Sequence, residues 1–433
     1  MRFRISPARD QATAVLVVLL FLNVQAILAD SAGQADWTGH IKVVDGVSRV
    51  LNPAQPMLAP LDVNLELLWS TGTDEEGELF GQLVDVARDS LGNTYLLDRQ
   101  VLNVRVYSPS GELLGVVGRE GEGPGEFRIP PAVLALPGGL IGVADLRAAK
   151  IVRFTLDGTP VGDISLEGFN PDRGGMMMLQ DAAWSPMGLA VELRHGTRGE
   201  DRFVSEYMLA AATTEGEPRH TFTTRTEVRE FGQPRITDRN ETFERGRWAL
   251  SDDGFLYVRT KRDSYEIEVY APSGELTRVI TREGITPRKR TAEEIGELES
   301  SVQLRRHGRG GRPRPQPEFD FSPHDPIVLA LWAGPEGNLW VRTCAHEQDL
   351  PDGCLERIDI LDAHGRFLRE VRIMADAPAD AERVFYVDDC VVVFGEGLGA
   401  VTDPDGQPGW KWSPEGEDSD LPAVTCFRMQ LDS

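Results

Sequence analysis

Residues 86–118 and 134–165 carry nearly the same message twice. The first stretch reads VARDSLGNTYLLDRQVLNVRVYSPSGELLGVVG and the second LALPGGLIGVADLRAAKIVRFTLDGTPVGDIS. Each holds a short apolar run, a turn with glycine, an alternating strand that ends in aspartate, a third strand, a Ser/Asp-Gly turn and a fourth strand. The copies are offset by 48 residues. Four short strands recurring at such a period predict a propeller blade, since each unit needs neighbours on both faces to bury its apolar residues.

The same grammar divides the rest of the chain. The first blade is expected at about 83–118 and the second at 130–165. A third begins at Ala182 and ends near Phe222, a fourth covers 248–281, a fifth 327–373 and a sixth 384–431. The stretch LELLWSTGTDEEGELF (65–80) parallels ELLGVVGREGEGPGEF (112–127), each a strand, a Gly/Glu-rich loop and a Phe before the next inner strand. Leu65 to Ser70 is therefore expected to be the outermost strand of a blade whose first three strands come from the C-terminus. The fold class expected is all-β, a six-bladed β-propeller with its last blade closed by an N-terminal strand. Closing the ring in this way removes unpaired sheet edges.

Three segments stand apart from the repeat. Residues 1–29 have the pattern of a signal peptide, with Arg2, Arg4 and Arg9 before an apolar run from Ala12 to Val24 and small-residue cleavage sites at Ala26 and Ala29. Export to the periplasm or the cell exterior is expected, with an uncleaved N-terminal anchor as the alternative and no other membrane span. Residues 30–64 form a lead-in: a hairpin around Asp45-Gly46, then a crossing segment marked by Pro53, Pro56 and Pro60. The ring is expected over 65–433, interrupted by an insertion at 283–326. There, Thr291 to Glu294 fits a capping box that opens a short helix to about Leu304, and a basic tract from Arg305 to Pro317 has few apolar anchors. The insertion is expected to cover one mouth of the ring. Thr223 to Arg247, polar and charged, reads as a connection between blades.

Charge narrows the partners. Acidic residues number 69 against 45 basic ones, a net charge of −24, which disfavours a nucleic acid partner because phosphate binding rests on cationic neutralisation. Four cysteines, Cys344, Cys354, Cys390 and Cys426, suit an oxidising compartment. Two disulfides are expected, in one of three possible pairings. The spacing would let Cys344 bridge Cys354 across a Pro-Asp-Gly loop, leaving Cys390 and Cys426 to join strands of the last unit. A zinc site is the less favoured alternative because no CxxC pair occurs.

Ligand positions can be sought at one equivalent place per blade, six residues beyond the turn glycine. This gives Asp98, Asp145, Arg194, Thr260 and Thr343, with Arg259 and Arg342 one position earlier. Gathered at one mouth, Arg259, Arg342 and Arg194 would suit a carboxylate or phosphate through the planar guanidinium fork. In the plainer alternative Asp98 and Asp145 cap their own turns and the arginines pair with acids of adjoining blades.

The run GREGEGPGEFRIP (118–130), followed by VADLRAAKIVRFTLDG (143–158), resembles the six-bladed propellers of the NHL-like group. It is most similar to exported bacterial members of undefined function. The resemblance covers about residues 40–431. It implies a scaffold used in related rings to bind protein or RNA and occasionally for lyase chemistry. The function expected is a binding or scaffolding module of the cell envelope, acting as a monomer on a protein or a small anionic ligand, with no cofactor. The alternative is a hydrolase or lyase with a divalent metal in the channel. For that alternative His195, His324 and His346 are the histidines in or beside expected loops, although they do not occupy matching repeat positions. The Glu, Asn and Asp calcium ligands of gluconolactonase-type propellers have no residue-by-residue counterpart here.

Overall fold

At Asp45 and Gly46 the backbone takes positive φ, 51° and 81°, giving the two-residue turn whose twist matches that of the strands it joins. It links β1 (His40–Val44) to β2 (Val47–Asn52). The computed structural model describes residues 37–431 apart from 73–79, 171–173, 233–234, 239–245, 308–316, 348–349, 352, 375–380, 397–399, 403–407 and 411–421. The expected signal segment and most of the basic tract lie outside the described residues. The chain divides into Met1–Thr38 and Gly39–Ser433, and the second unit carries the sheets.

That unit is all-β, built on repeated four-stranded antiparallel sheets. After β3 (Leu61–Thr71), the first sheet takes β4 (Leu83–Arg88), β5 (Thr94–Asp98), β6 (Asn103–Tyr107) and β7 (Leu113–Val117) in order. Two short strands, β8 (Arg119–Glu120) and β9 (Glu126–Phe127), pair within the following Gly/Glu-rich loop. The second sheet is β10 (Val133–Leu136), β11 (Leu140–Asp145), β12 (Lys150–Phe154) and β13 (Pro160–Ser165). The third is β14 (Met176–Ser185), β15 (Gly188–Arg198), β16 (Arg202–Ala212) and β17 (Pro218–Glu230). Residues 223–230 thus continue a strand, which corrects the connection expected there. β17 is an outer strand wetted on both faces, so its Thr, Arg and Glu residues pair along β16 without any apolar alternation.

Further on, β18 (Arg235–Thr237) precedes β19 (Trp248–Leu250), β20 (Leu256–Arg259), β21 (Glu266–Tyr270) and β22 (Leu276–Arg282). The last four form a sheet that β2 and β1 extend, β2 lying parallel to β22. Then follow the helix α1 (Ala292–His307) and β23 (Glu318–Asp320), which pairs with β18. Next come β24 (Val328–Ala333), β25 (Leu339–Thr343), β26 (Cys354–Leu361) and β27 (Phe367–Met374). The chain ends in β28 (Ala381–Val387), β29 (Cys390–Glu396), the short pair β30 (Ala400–Thr402) and β31 (Pro408–Trp410), and β32 (Pro422–Met429). β3 stands between the last two sets: its start runs parallel to β27 and its remainder is antiparallel to β32. Among the described residues no helix is long and apolar enough to cross a membrane.

These sheets stack face to face as propeller blades do. One buried cluster joins Val84, Tyr95 and Val104 of the first sheet to Ile141, Val143 and Val152 of the second. The opposite face of the second sheet, with Leu134 and Ile151, packs on Leu179, Leu189 and Val191 of the third. First strands lie side by side in chain order, β4 beside β10, β10 beside β14, β14 beside β19, β19 beside β24, and β28 beside β4. Asp85 ties two of them together, its Oδ2 accepting the Val133 N–H at 2.8 Å.

The turns before the outer strands have a repeated packing role. The glycine of each sits against the outer strand of the preceding sheet: Gly158 against Val117, Gly216 against Ile164, Gly274 against His220 and Gly365 against Ile280. Gly111, in the first sheet, sits against Trp69 of β3, where a Cβ would lie 2.4 Å from the Trp69 Cβ. Gly111→Ala is expected to cost about 1–3 kcal/mol through overpacking in addition to its positive φ. Gly138→Ala is the control, because Gly138 shares the positive φ (75°) but has no atom within 4 Å of a Cβ. Equal losses of thermal stability in the two variants would show that the contact with Trp69 carries no energy.

The insertion is fastened by charge. α1 opens with the capping box, Glu294 Oε2 accepting the Thr291 N–H at 2.6 Å and Thr291 Oγ1 accepting the Glu294 N–H at 3.2 Å. Before it, Arg288 and Arg290 both pair with Asp325, and Asp238 accepts from Arg290 and the buried Arg262.

Candidate functional site

Aspartates at the ends of second strands face backbone N–H groups of two loops at once. Asp98 is fully buried, and its carboxylate accepts from Gly81 and Gln82 of the loop before its sheet and from Gln100 and Val101 of the loop after β5. Asp145 repeats the arrangement with Arg128, Arg147 and Ala148. A carboxylate in such a position satisfies donors that would otherwise be stranded in irregular backbone.

The arginines are placed differently from one another. Arg259 is 5% exposed, and its Nη1 donates to the Val328 carbonyl of the neighbouring first strand at 2.9 Å. Arg194 lies inside β15, which runs on to Arg198, so it does not stand at the strand end that the spacing suggested. It donates to Ser205 Oγ at 2.9 and 3.2 Å and lies over the rings of Tyr207 and Phe203. Thr343 is fully buried. No hydrogen bond or ion pair joins any two of Asp98, Asp145, Arg194, Arg259 and Arg342 among the described residues.

Arg342 anchors the most chemically equipped group. Its side chain, 41% exposed, pairs with the buried carboxylate of Glu356 from β26. The other oxygen of Glu356 accepts the Tyr386 hydroxyl, brought in from β28 of the next sheet. Burial and the Glu356 carboxylate push the Tyr386 hydroxyl well above the usual phenol range, so it remains a donor. Tyr386 in turn stacks on Trp332 of β24, ring centres 4.6 Å apart and planes within 13°. Trp340 of β25 lies behind Trp332 at 6.3 Å. An exposed guanidinium fixed by a carboxylate is the kind of group that recognises a carboxylate or phosphate oxygen. Sequence spacing located Arg342 but missed Glu356, Tyr386 and Trp332. The available signal was Glu356 itself, a charge at an inward position of the alternating run CLERIDIL.

The histidines stand on separate elements. His195 lies within β15, not in a loop, and His324 forms an isolated bridge with Lys289. His346 lies in the turn Cys344–Glu347, and its side chain is outside the described residues. No group of three or more His, Cys, Asp or Glu placed to hold a metal ion occurs among the described residues.

The two expected disulfides are not formed, a correction to the sequence reading. All four cysteines are buried and none is joined in a disulfide. The Cys344 Sγ faces the Thr286 carbonyl at 3.9 Å and the Cys354 Sγ the Glu356 carbonyl at 3.4 Å, so each is turned towards a different partner. Cys390 and Cys426 do meet, on the paired strands β29 and β32. A hydrogen bond with the Cys390 thiol, together with burial, holds the Cys426 thiol far above the usual range.

No family model matches the chain, and no curated protein sequence matches it. Among solved structures it is similar to a Bacteroides fragilis protein named as exported, at 12% identity and a TM-score of 0.45, over 87% of this chain and 99% of that one. A virginiamycin B lyase from Staphylococcus aureus is similar at 9% identity and a TM-score of 0.37, over 83% and 98%. The calcium-binding protein regucalcin from Agrobacterium tumefaciens is similar at 12% identity and a TM-score of 0.38, over 85% and 95%.

Proposed function

We propose that this chain is an exported six-bladed ring of the NHL-like type, closed by β3, that works as a binding or scaffolding module of the cell envelope. Support for the count comes from three four-stranded sheets, a set of β19 to β22 that β2 and β1 extend, and one eight-stranded sheet in the order β24-β25-β26-β27-β3-β32-β29-β28, long enough for two blades. Support for closure comes from the turn glycines. Gly111 meets β3 just as Gly158, Gly216, Gly274 and Gly365 meet the outer strand of the sheet before theirs. That contact supports reading β3 as the outer strand of the blade before the first. Support for export is the Arg-flanked apolar segment of residues 2–24.

The binding reading rests on one observation: the Arg342 side chain is 41% exposed while Glu356, itself held by the Tyr386 hydroxyl, pairs with it. A cation pre-set in this way loses little freedom on meeting an anionic group. The ligand class is a carboxylate-bearing small molecule or an acidic protein segment, with an apolar part resting near Trp332 and Tyr386. The check is a thermal-shift series with mono- and dicarboxylates and with phosphate, at low and high salt. A stabilising ligand should lose about tenfold or more in affinity in Arg342→Ala, since a charge-assisted hydrogen bond is removed, and Arg259→Ala should weaken it less. Unchanged affinity in Arg342→Ala would move the site elsewhere.

A further inference from the structure

The third sheet ends in the longest strand among the described residues. β17 runs for 13 residues, against five in β7 and six in β13. Its inner side pairs with β16, and among the described residues no strand covers its outer side. Alternate residues of an edge strand turn their N–H and C=O groups away from the sheet, an open template for another strand. The other outer strands are blunted. β22 is covered by β2 and β27 by β3, β7 and β13 are short and interrupted by register shifts, and β1 carries Lys42. The second half of β17 has none of these devices. From Thr223 to Glu230 it pairs with Leu209 to Arg202 without a bulge, and it holds no proline or lysine there.

Charge along this edge is ordered. Arg225, Glu227 and Arg229 stand on one face of the sheet, with Thr224, Thr226 and Val228 on the other. Val228 is 53% exposed. When two copies of one strand pair antiparallel about a twofold axis, residues equally far from the axis residue face each other. An axis at Thr226 sets Arg225 of each copy against Glu227 of the other, Thr224 against Val228 and Thr223 against Arg229, over residues 223–229. An axis at Glu227 would set that carboxylate against its own copy and Arg225 against Arg229, and one at Arg225 would bring two guanidinium groups together. An axis at Val228 matches Glu227 with Arg229 but overlaps only residues 226–230. The register at Thr226 is the longest along the bulge-free stretch that pairs opposite charges.

We infer that β17 is a dimerisation edge, which takes the β17 of a second copy of this chain in the antiparallel register centred on Thr226. The outward N–H and C=O groups of the two edges satisfy one another and join the two four-stranded sheets into one. Opposite charges directly across a strand pair are favourable and like charges unfavourable, so Arg225 and Glu227 specify the register. Within one chain Glu227 meets the Tyr207 hydroxyl at 3.3 Å and Arg229 at 3.7 Å, and a carboxylate has room for a further donor. A guanidinium likewise has more N–H groups than one partner uses. A contact made by one strand pair is small, so the dimer is reversible, in place of the monomer that the sequence suggested. It owes nothing to Arg342 or to the reading proposed above.

The test is sedimentation equilibrium of the full chain at physiological salt, where repulsion between two chains of net charge −24 is screened beyond about 8 Å. A monomer–dimer equilibrium is expected. Arg225→Glu sets two carboxylates face to face and Glu227→Arg two guanidinium groups, so each variant should dimerise about tenfold or more weakly. Mixing the two variants restores opposite charges at both pairs, and the mixture should dimerise about as well as the native chain. A variant damaged in folding could not show that recovery. Thr226→Lys, a change at an exposed side chain, sets two ammonium groups on the axis and should also weaken the dimer. A monomer at every concentration up to about 100 µM would overturn the inference and leave the edge to a strand of another protein. A dimer indifferent to all three changes, or a mixture that fails to recover, would overturn it too and place the interface elsewhere.

Discussion

Asp359→Ala is expected to lose about 3–5 kcal/mol of folding stability, the cost of leaving a buried charge without its partner. Asp359 on β26 is fully buried and pairs with Arg282 at the end of β22, whose side chain is 11% exposed. The guanidinium lies 4.0 Å over the Phe367 ring and donates to the Ala54 carbonyl at 3.1 Å. Removing the carboxylate strands that cation between two sheets. Tyr265 is involved as well, for burial and then the Asp359 charge push its hydroxyl well above the usual range. The urea midpoint should fall with the slope unchanged. Replacing both partners by apolar residues, Arg282→Met with Asp359→Leu, should recover most of the loss, because a buried pair contributes little net stability over well-packed hydrocarbon. A loss below about 1 kcal/mol in the single variant would mean that water reaches the pair.

Trp69→Ala should cost a comparable amount, about 3–5 kcal/mol, for a large aromatic removed from a packed interior. Trp69 is 7% exposed and belongs to a cluster with Phe80, Leu83, Leu96, Phe394 and Val424. Its ring stacks on Tyr107 with centres 5.1 Å apart and planes at 20°. The cluster combines β3, the first sheet, β29 and β32, so the loss falls where segments far apart in sequence meet. Trp69→Phe should restore part of it. Chemical denaturation followed by circular dichroism gives the difference, and a small effect would show that β3 rests loosely on its neighbours.

The sequence foretold the parts of the fold that local rules govern. Apolar alternation and glycine turns revealed the first two sheets and the hairpin at Asp45-Gly46, and the match of residues 65–80 to 112–127 marked Leu65 to Ser70 as a strand. The capping box at Thr291 and Glu294 was equally readable. β17 was not, since its exposed Thr, Arg and Glu residues carry no burial pattern, and the reading stopped near Phe222. Underestimating the third sheet also misplaced Arg194 and His195, which lie mid-strand because β15 runs to Arg198. At the candidate sites spacing gave residues but not directions. It could not tell that Glu356 of β26 links Arg342 of β25 to Tyr386 of β28, or that the Cys344 and Cys354 thiols turn to separate carbonyls.

The position of β3 has a temporal side. Its Ser70 hydroxyl meets that of Thr425, 355 residues later, at 3.0 Å. The segment that leaves the ribosome first is thus bonded to one made 355 residues later. Until Pro422–Met429 has been made, β32 does not exist to receive it, and that edge of β3 has no partner. Joining ends so far apart adds a loop-closure cost that grows only slowly with length, but the contact is among the least local the chain can make and should form late. Synthesis therefore sets a clock on the seam. A polypeptide cut short before Pro422 would still hold most of its strands and yet lack the one that pairs with β3.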